Sequence, residues 1–378
     1  LPAKEQRNLP ATESPLPEAY ADAARALEIC NACRYCEGYC AVFPAMELRR
    51  DFAEGDLNYL ANLCHGCRGC YHACQYAPPH EFGINLPRNF SAIRAHSYEQ
   101  YAWPAPLARL FRRNGLVVTL AATLGIILAL FLTMALTDPA VMFAPQRGPG
   151  AFYAIIPYEL MVALGTATFG FALVALGMGF RNFWRESGRE NSDLTRPGPL
   201  GTALHDALTL KNLGGGGHGC NDTDEGFSQS RRHLHHALFY GFMLCFAATS
   251  IATVMDHGFG WIAPYSWYSA PVVLGTLGGI GMMVGSVGLF ALKLKADPAP
   301  AAPSLLGMDT AMLGLLFAIA ATGLLLLVLR HTGAMGTLLA IHLGVVFAFF
   351  LVIPYSKMVH GVYRGAALLR NALEQRGH

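Results

Sequence analysis

From about residue 111 onward the chain is dominated by six apolar segments, each near the ~20 residues that a helix needs to cross hydrocarbon. They fall at about 116–136, 157–180, 234–255, 271–292, 308–329 and 336–357. The whole chain of 378 residues is 53% hydrophobic and only 14% charged. An ordinary soluble domain carries about 25% charged residues. The expected fold is mainly α: a six-helix transmembrane bundle preceded by a smaller polar region.

Loop charges orient the bundle. Arg109, Arg112 and Arg113 precede the first span, and Arg181, Arg185 and Arg189 follow the second. Arg231 and Arg232 precede the third, Lys293 and Lys295 follow the fourth, and Lys357, Arg364 and Arg370 close the sixth. The opposite loops hold only Arg147 and Arg330. Both termini and the polar head are therefore expected on the cytoplasmic side of the inner membrane, with lipid as an obligatory partner. Trp261, Tyr265 and Trp267 stand where an interfacial aromatic belt belongs.

The polar head carries the chemistry. Cys30, Cys33, Cys36 and Cys40 share their spacing with Cys64, Cys67, Cys70 and Cys74, a CxxCxxCxxxC run repeated once. That is the bacterial ferredoxin spacing, in which thiolates hold a [4Fe–4S] cluster. Disulfides suit small exported domains, but the first twenty residues are polar and proline-rich rather than an export signal. Structural zinc sites use paired CxxC units. Two [4Fe–4S] clusters are expected. Because the fourth cysteine of each string ligates the other cluster in two-cluster ferredoxins, Cys30, Cys33, Cys36 and Cys74 form one set. Cys64, Cys67, Cys70 and Cys40 form the second. The division reads as a flexible arm at 1–17, a ferredoxin-like α-helical domain at 18–110, and a cytochrome b-like membrane domain at 111–378. An inside loop occupies 181–233.

Residues 1–110 carry 10 Lys/Arg against 12 Asp/Glu, and the remainder 17 against 13. So small an imbalance offers no basic stripe for nucleic acid.

Ionisable residues inside a span are functional candidates by default. His342 and His360 lie eighteen residues apart in the sixth segment, five turns of an uninterrupted helix, and so ~27 Å apart on one face. The third segment offers His235 and His236 at its inner end and His257 at its outer end. Inner and outer pairs of this kind suit bis-histidine ligation of one or two b-type haems. His235 and His236 are adjacent, so only one of them faces a given haem. Arg231 and Arg232 suit haem propionates or serve topology alone. His331 reads as a loop histidine, and His205 and His218 as docking or quinone residues. The run Gly214–Gly217 reads either as an anion cradle or as a hinge. Cys245 reads as a small buried apolar residue, and Cys220 has no assigned role. The glycines of the fourth segment (Gly275, Gly278, Gly279, Gly281, Gly285) imply close helix packing.

The stretch from Ile341 to His360 resembles the last haem-binding helix of membrane-bound nitrate reductase gamma subunits. A longer resemblance rests on ICNACRYCEGYCAVFPA, LCHGCRGCYHACQYAPPHEF, GGGGHGCND and HHALFYGFMLCFAATS. These are similar to the tricarballylate/citrate utilisation protein B family. The resemblance implies an iron–sulfur and haem b membrane protein. Its expected work is to reoxidise the FADH2 of a partner FAD-dependent tricarballylate dehydrogenase and pass the electrons to quinone. A self-contained quinol-dependent reductase of a disulfide-type oxidant is the alternative, and it would need a catalytic motif that the chain does not display.

Overall fold

The computed structural model describes residues 16–376 apart from residue 189. Most of the arm expected at 1–17 lies outside the described residues. Its last two residues belong to the first helix, α1 (Leu16–Cys33). Proline is tolerated there because a helix's first N–H groups have no partner to lose.

The chain is mainly helical, and no strand occurs among the described residues. After α1 the head continues through α2 (Val42–Glu47), α3 (Glu54–Leu63), α4 (Gly69–His72) and α5 (Leu86–Gln100). Helix α1 buries Ala19, Ala23, Ala26 and Leu27, a stripe at helical spacing. In α3 every residue from Leu57 to Leu63 is buried, including Asn58 and Asn62. Their amides are satisfied inside: Tyr20 donates to Asn58 Oδ1 at 2.6 Å, and Asn62 Nδ2 donates to Ser97 Oγ at 3.0 Å. The helical path between the two cysteine strings is broken between α2 and α3. There Arg49 turns back onto the Ala45 carbonyl and pairs with Asp56.

A short helix, α6 (Ala105–Leu110), leads into α7 (Asn114–Leu136), and α8 (Pro139–Met142) follows beyond the first span. The other spans are α9 (Tyr158–Glu186), α11 (Ser230–Phe259), α12 (Ala270–Lys295), α13 (Ser304–Leu329) and α14 (Met335–Val352). Helix α10 (Pro197–Leu208) lies in the loop between α9 and α11. Among the described residues six helices are thus long and apolar enough to cross a membrane. Of the most apolar stretch of the sixth, 50% is buried, against 6% for the first. Helix α14 is therefore the central rod, in contact with α7, α9 and α13. The glycine stripe of α12 packs inside this chain: a Cβ on Gly278 would sit 2.7 Å from the Gly241 carbonyl of α11.

The sixth span does not run unbroken to His360. Helix α14 ends at Val352, and tight turns at Ile353–Tyr355 and Lys357–Val359 flank an extended Ser356. Pro354 supplies the physical reason, since it lacks an N–H and crowds the preceding turn. His360 opens a separate helix, α15 (His360–Glu374). The five-turn alignment of His342 with His360 therefore fails.

Helix α15 does not trail away from the bundle. Val359, Tyr363, Ala366 and Leu369 share one apolar core with α1, α3 and the cysteine strings. The 187–229 loop and the α12–α13 connection close on the same side. Arg68 donates to the carbonyls of Asp222 (2.8 Å) and Asp297 (3.0 Å), and Asn85 to that of Ala299 (2.9 Å). The remaining inter-span loops meet on the far side, where Gly150 N–H bonds the Ala263 carbonyl and Arg330 the Tyr265 carbonyl.

Candidate redox centre

The eight string cysteines are all free thiols gathered at the head. Cys30, Cys33, Cys36 and Cys74 line one cavity together with Cys70 of the other set and with Arg34, Tyr35 and Tyr76. The rim of this cavity is open, since Tyr35 is 66% exposed. Burial, and after it the neighbouring Cys74, pushes the thiols of Cys30 and Cys36 up to about 12. Of the other four, Cys67 is buried and Cys40, Cys64 and Cys70 are partly buried. Cys40 is raised by burial and by Cys67 and Cys64, and Cys70 by burial and by Cys67, Cys40 and Cys64.

Backbone N–H groups lie close to these sulfurs. Gly66 N–H donates to Cys64 Sγ at 3.4 Å, the Val42 and Phe43 N–H groups favour the Cys40 thiolate, and those of Tyr76 and Ala77 favour the Cys74 thiolate, the Ala77 N–H bonding the Cys74 carbonyl at 3.3 Å. Such donors favour the thiolate form and tune a cluster's potential. Soft sulfur donors, a shared cavity and N–H···S bonds fit an iron–sulfur cluster. Among the described residues no three His, Cys, Asp or Glu side chains form a candidate site for a metal ion.

The second string is fastened to the membrane helices by guanidinium groups on its backbone. Arg231 of α11 donates to the carbonyls of Gly66 (2.7 Å) and His65 (3.3 Å). Arg364 of α15 donates to those of Cys64 (3.1 Å) and Asn62 (3.4 Å). Arg94 adds bonds to Ala61 and Cys64. Arg231 and Arg232, which the sequence suits to haem propionates or to topology alone, both have carbonyl partners, and Arg231 also stands 3.6 Å from Asp222 Oδ1. Arg232 and His236 both bond the Thr209 carbonyl, and Tyr240 bonds that of Leu208 (2.7 Å). Arg232, His236 and Tyr240 stand four residues apart on one face and satisfy the orphan carbonyls at the end of α10. His236 is thereby occupied.

His235 faces the other way. Its ring and that of His360 lie 6.2 Å apart, edge to face. Two imidazoles sharing one metal at bonds of ~2 Å have ring centres about that far apart. His235 Nδ1 is buried without a partner, while His360 Nδ1 bonds the Lys357 carbonyl and leaves Nε2 free. A ligating histidine commonly makes such a second bond. Burial, then Arg364 and Lys357, holds His360 well below the usual imidazole range, in the neutral form that ligates.

The expected outer pair engages separate neighbours. His257 Nε2 meets the Tyr158 hydroxyl at 2.6 Å, and His342 Nδ1 meets Thr322 Oγ1 at 2.9 Å. The His342 ring packs over Gly323 of α13. His331 Nε2 accepts from Arg330 Nε at 3.2 Å, His205 Nδ1 meets Asp206 Oδ1 at 3.3 Å, and the His218 ring lies tilted against Phe227. Sequence reading overlooked Arg364 and Arg94. A signal was present in the spacing: Arg231 precedes His235 by four residues, and Arg364 follows His360 by four.

The family model for citrate utilization protein B matches residues 109–378, and that for its Fer4-like domain matches residues 23–100. This chain belongs to the citrate utilization protein B family. A relative from Escherichia coli, named citrate utilization protein B, is 49% identical over 362 residues, covering 96% of this chain and 94% of that protein. No solved structure matches. The boundary between the two models falls where the head hands over to α6 and α7. A Fer4-like domain on six membrane-length helices makes this an electron-transfer membrane protein carrying iron–sulfur chemistry.

Proposed function

We propose that this protein is the membrane electron-transfer subunit of a two-component dehydrogenase. It takes electrons from the FADH2 of a partner FAD-dependent tricarballylate dehydrogenase and delivers them to quinone. Its assignment to the inner membrane, with the head on the cytoplasmic side, rests on the loop arginines and lysines.

When bound, two [4Fe–4S] clusters and haem b supply one-electron carriers between a two-electron donor and a two-electron acceptor. Cys30, Cys33, Cys36 and Cys74 would hold the first cluster, and Cys40, Cys64, Cys67 and Cys70 the second. The open rim at Tyr35 leaves the first set accessible to a docked flavoprotein. His235 and His360 would hold the haem.

The observation that carries this reading is the linkage beneath the second cysteine set. Arg231 and Arg364 bind the carbonyls around Cys64, and each lies one helical turn from a histidine of the facing pair. The arginines hold head and histidine pair in one fixed relation, which stepwise electron transfer requires.

Visible and EPR spectra of the purified protein test it. Two cubane signals and a b-type band reduced through added flavoprotein are expected; a colourless bundle would remove the haem assignment. Serine replacements test the cysteine pairing. Cys40→Ser and Cys70→Ser should disturb one EPR signal, and Cys30→Ser and Cys74→Ser the other. Disturbance of a single signal by Cys30→Ser and Cys40→Ser would refute the interleaving.

A further inference from the structure

The glycine run and Cys220 have no part in the reading above, yet they lie against the second cysteine set. Gly215, Gly216, Gly217 and Gly219 all adopt positive φ. Gly215 lies beside Cys67, where an added Cβ would be in ordinary contact with its sulfur at 4.0 Å. A Cβ on Gly216 would stand 3.1 Å from the Gly38 carbonyl and 3.4 Å from Tyr39 Cα. The segment therefore bridges the loop before Cys40 and the loop around Cys67. Only a chain without side chains lies this flat.

Its backbone is closed on itself and on the string. Gly219 N–H bonds the Gly214 carbonyl at 2.8 Å, and Cys220 exchanges bonds with Ser228 at 2.8 and 2.9 Å. Asn221 N–H bonds the Cys67 carbonyl at 2.9 Å. These bonds hold the segment's end, from Gly219 to Asn221, against the second string. Cys220 is 0% exposed and packs with Cys67 and Leu213 in a small apolar cluster. Its thiol donates to the Leu213 carbonyl at 3.3 Å, so the sulfur is engaged as S–H.

We propose that residues 213–221 form an insulating strap over the second cysteine set, anchored by Cys220, which is a positioning residue and not a ligand. The inference rests on the two-cluster reading. One-electron reduction adds negative charge to a thiolate-ligated cluster, and water stabilises that charge. Excluding water therefore lowers the potential. The strap gives the inner cluster an environment different from that of the open-rimmed first set.

EPR-monitored redox titration of the full-length protein in detergent tests this with Gly216→Leu and Cys220→Ser. Leucine at 216 collides with Gly38 and lifts the strap. Serine at 220 places a hydroxyl beside Cys67 with little change in shape. In both variants one midpoint potential should shift upward, in the signal that Cys40→Ser perturbs, while the other stays at the wild-type value. No shift, or a parallel shift of both clusters, overturns the strap. Loss of one cluster in Cys220→Ser would make Cys220 a ligand and overturn its assigned role. Should Gly216→Leu fail to assemble, Cys220→Ser decides alone. A wild-type protein lacking two cluster signals would refute the two-cluster reading itself, before any variant is compared.

Discussion

Adjacent histidines at the start of α11 have opposite duties because successive helical residues point ~100° apart. His236 caps α10 through Thr209, whereas His235 meets His360. The two alanine replacements should therefore separate. His235→Ala and His360→Ala should each abolish the b-type absorption band and leave both cubane EPR signals. His236→Ala should keep the band and lose one carbonyl bond, worth about 0.5–1.5 kcal/mol. An unchanged spectrum in His360→Ala would remove that ligand. The repeated cysteine strings were legible from spacing alone, since x2-x2-x3 is a local property of the chain. Choosing between His235 and His236 was not, because it depends on where α10 ends.

Among elements, the sixth span departs furthest from its sequence pattern. Apolar character continues from α14 across the turns at Ile353–Tyr355, which is why 336–357 reads as one segment. Pro354 divides it, and the division lets His360 and Arg364 turn under the second cysteine string. Close approach shapes the other end of this helix. A Cβ on Gly344 would stand 2.6 Å from the Gly125 carbonyl of α7, and one on Gly125 would stand 2.5 Å from the Gly344 carbonyl. Small residues let membrane helices touch backbone to backbone. Gly344→Leu should therefore destabilise the bundle by about 1–3 kcal/mol or more, read as a lowered melting temperature in detergent. An unchanged melting curve would show that α7 and α14 have room to separate.

At the scale of the molecule, the last helix locks the head to the bundle. Glu374 accepts from Arg49 at 2.7 Å, from Arg370 at 3.0 Å and from Tyr59 at 3.1 Å. Arg370 also reaches Asp56 at 2.8 Å. These side chains are nearly enclosed, so Glu374→Gln leaves two arginines short of charge. A loss of about 3–5 kcal/mol is expected, visible as earlier proteolysis of the head. Burial alone would raise the carboxyls of Glu374 and Asp56, but Arg49 and Arg370 outweigh it and hold both below the ordinary range. Their folded pKa values thus lie below the unfolded ones. The contribution is fully present above the ordinary carboxylate value of ~4 and is lost as pH falls below it. Thermal unfolding of wild type should weaken below pH ~4, and Glu374→Gln should flatten that dependence.

By itself the sequence determined what is local or periodic: six membrane-length helices, the repeated cysteine strings, and a polar head ahead of an apolar body. These follow from hydropathy over ~20 residues and from ligand spacing, neither of which needs a distant partner. The tertiary structure alone decided which groups meet across the chain. It gathered the cysteines of the two strings at the head, set Arg231 and Arg364 under Cys64, paired His235 with His360, and laid the glycine strap over Cys67. Each of these contacts joins residues from separate elements, and no periodicity in the sequence encodes the angle at which helices cross.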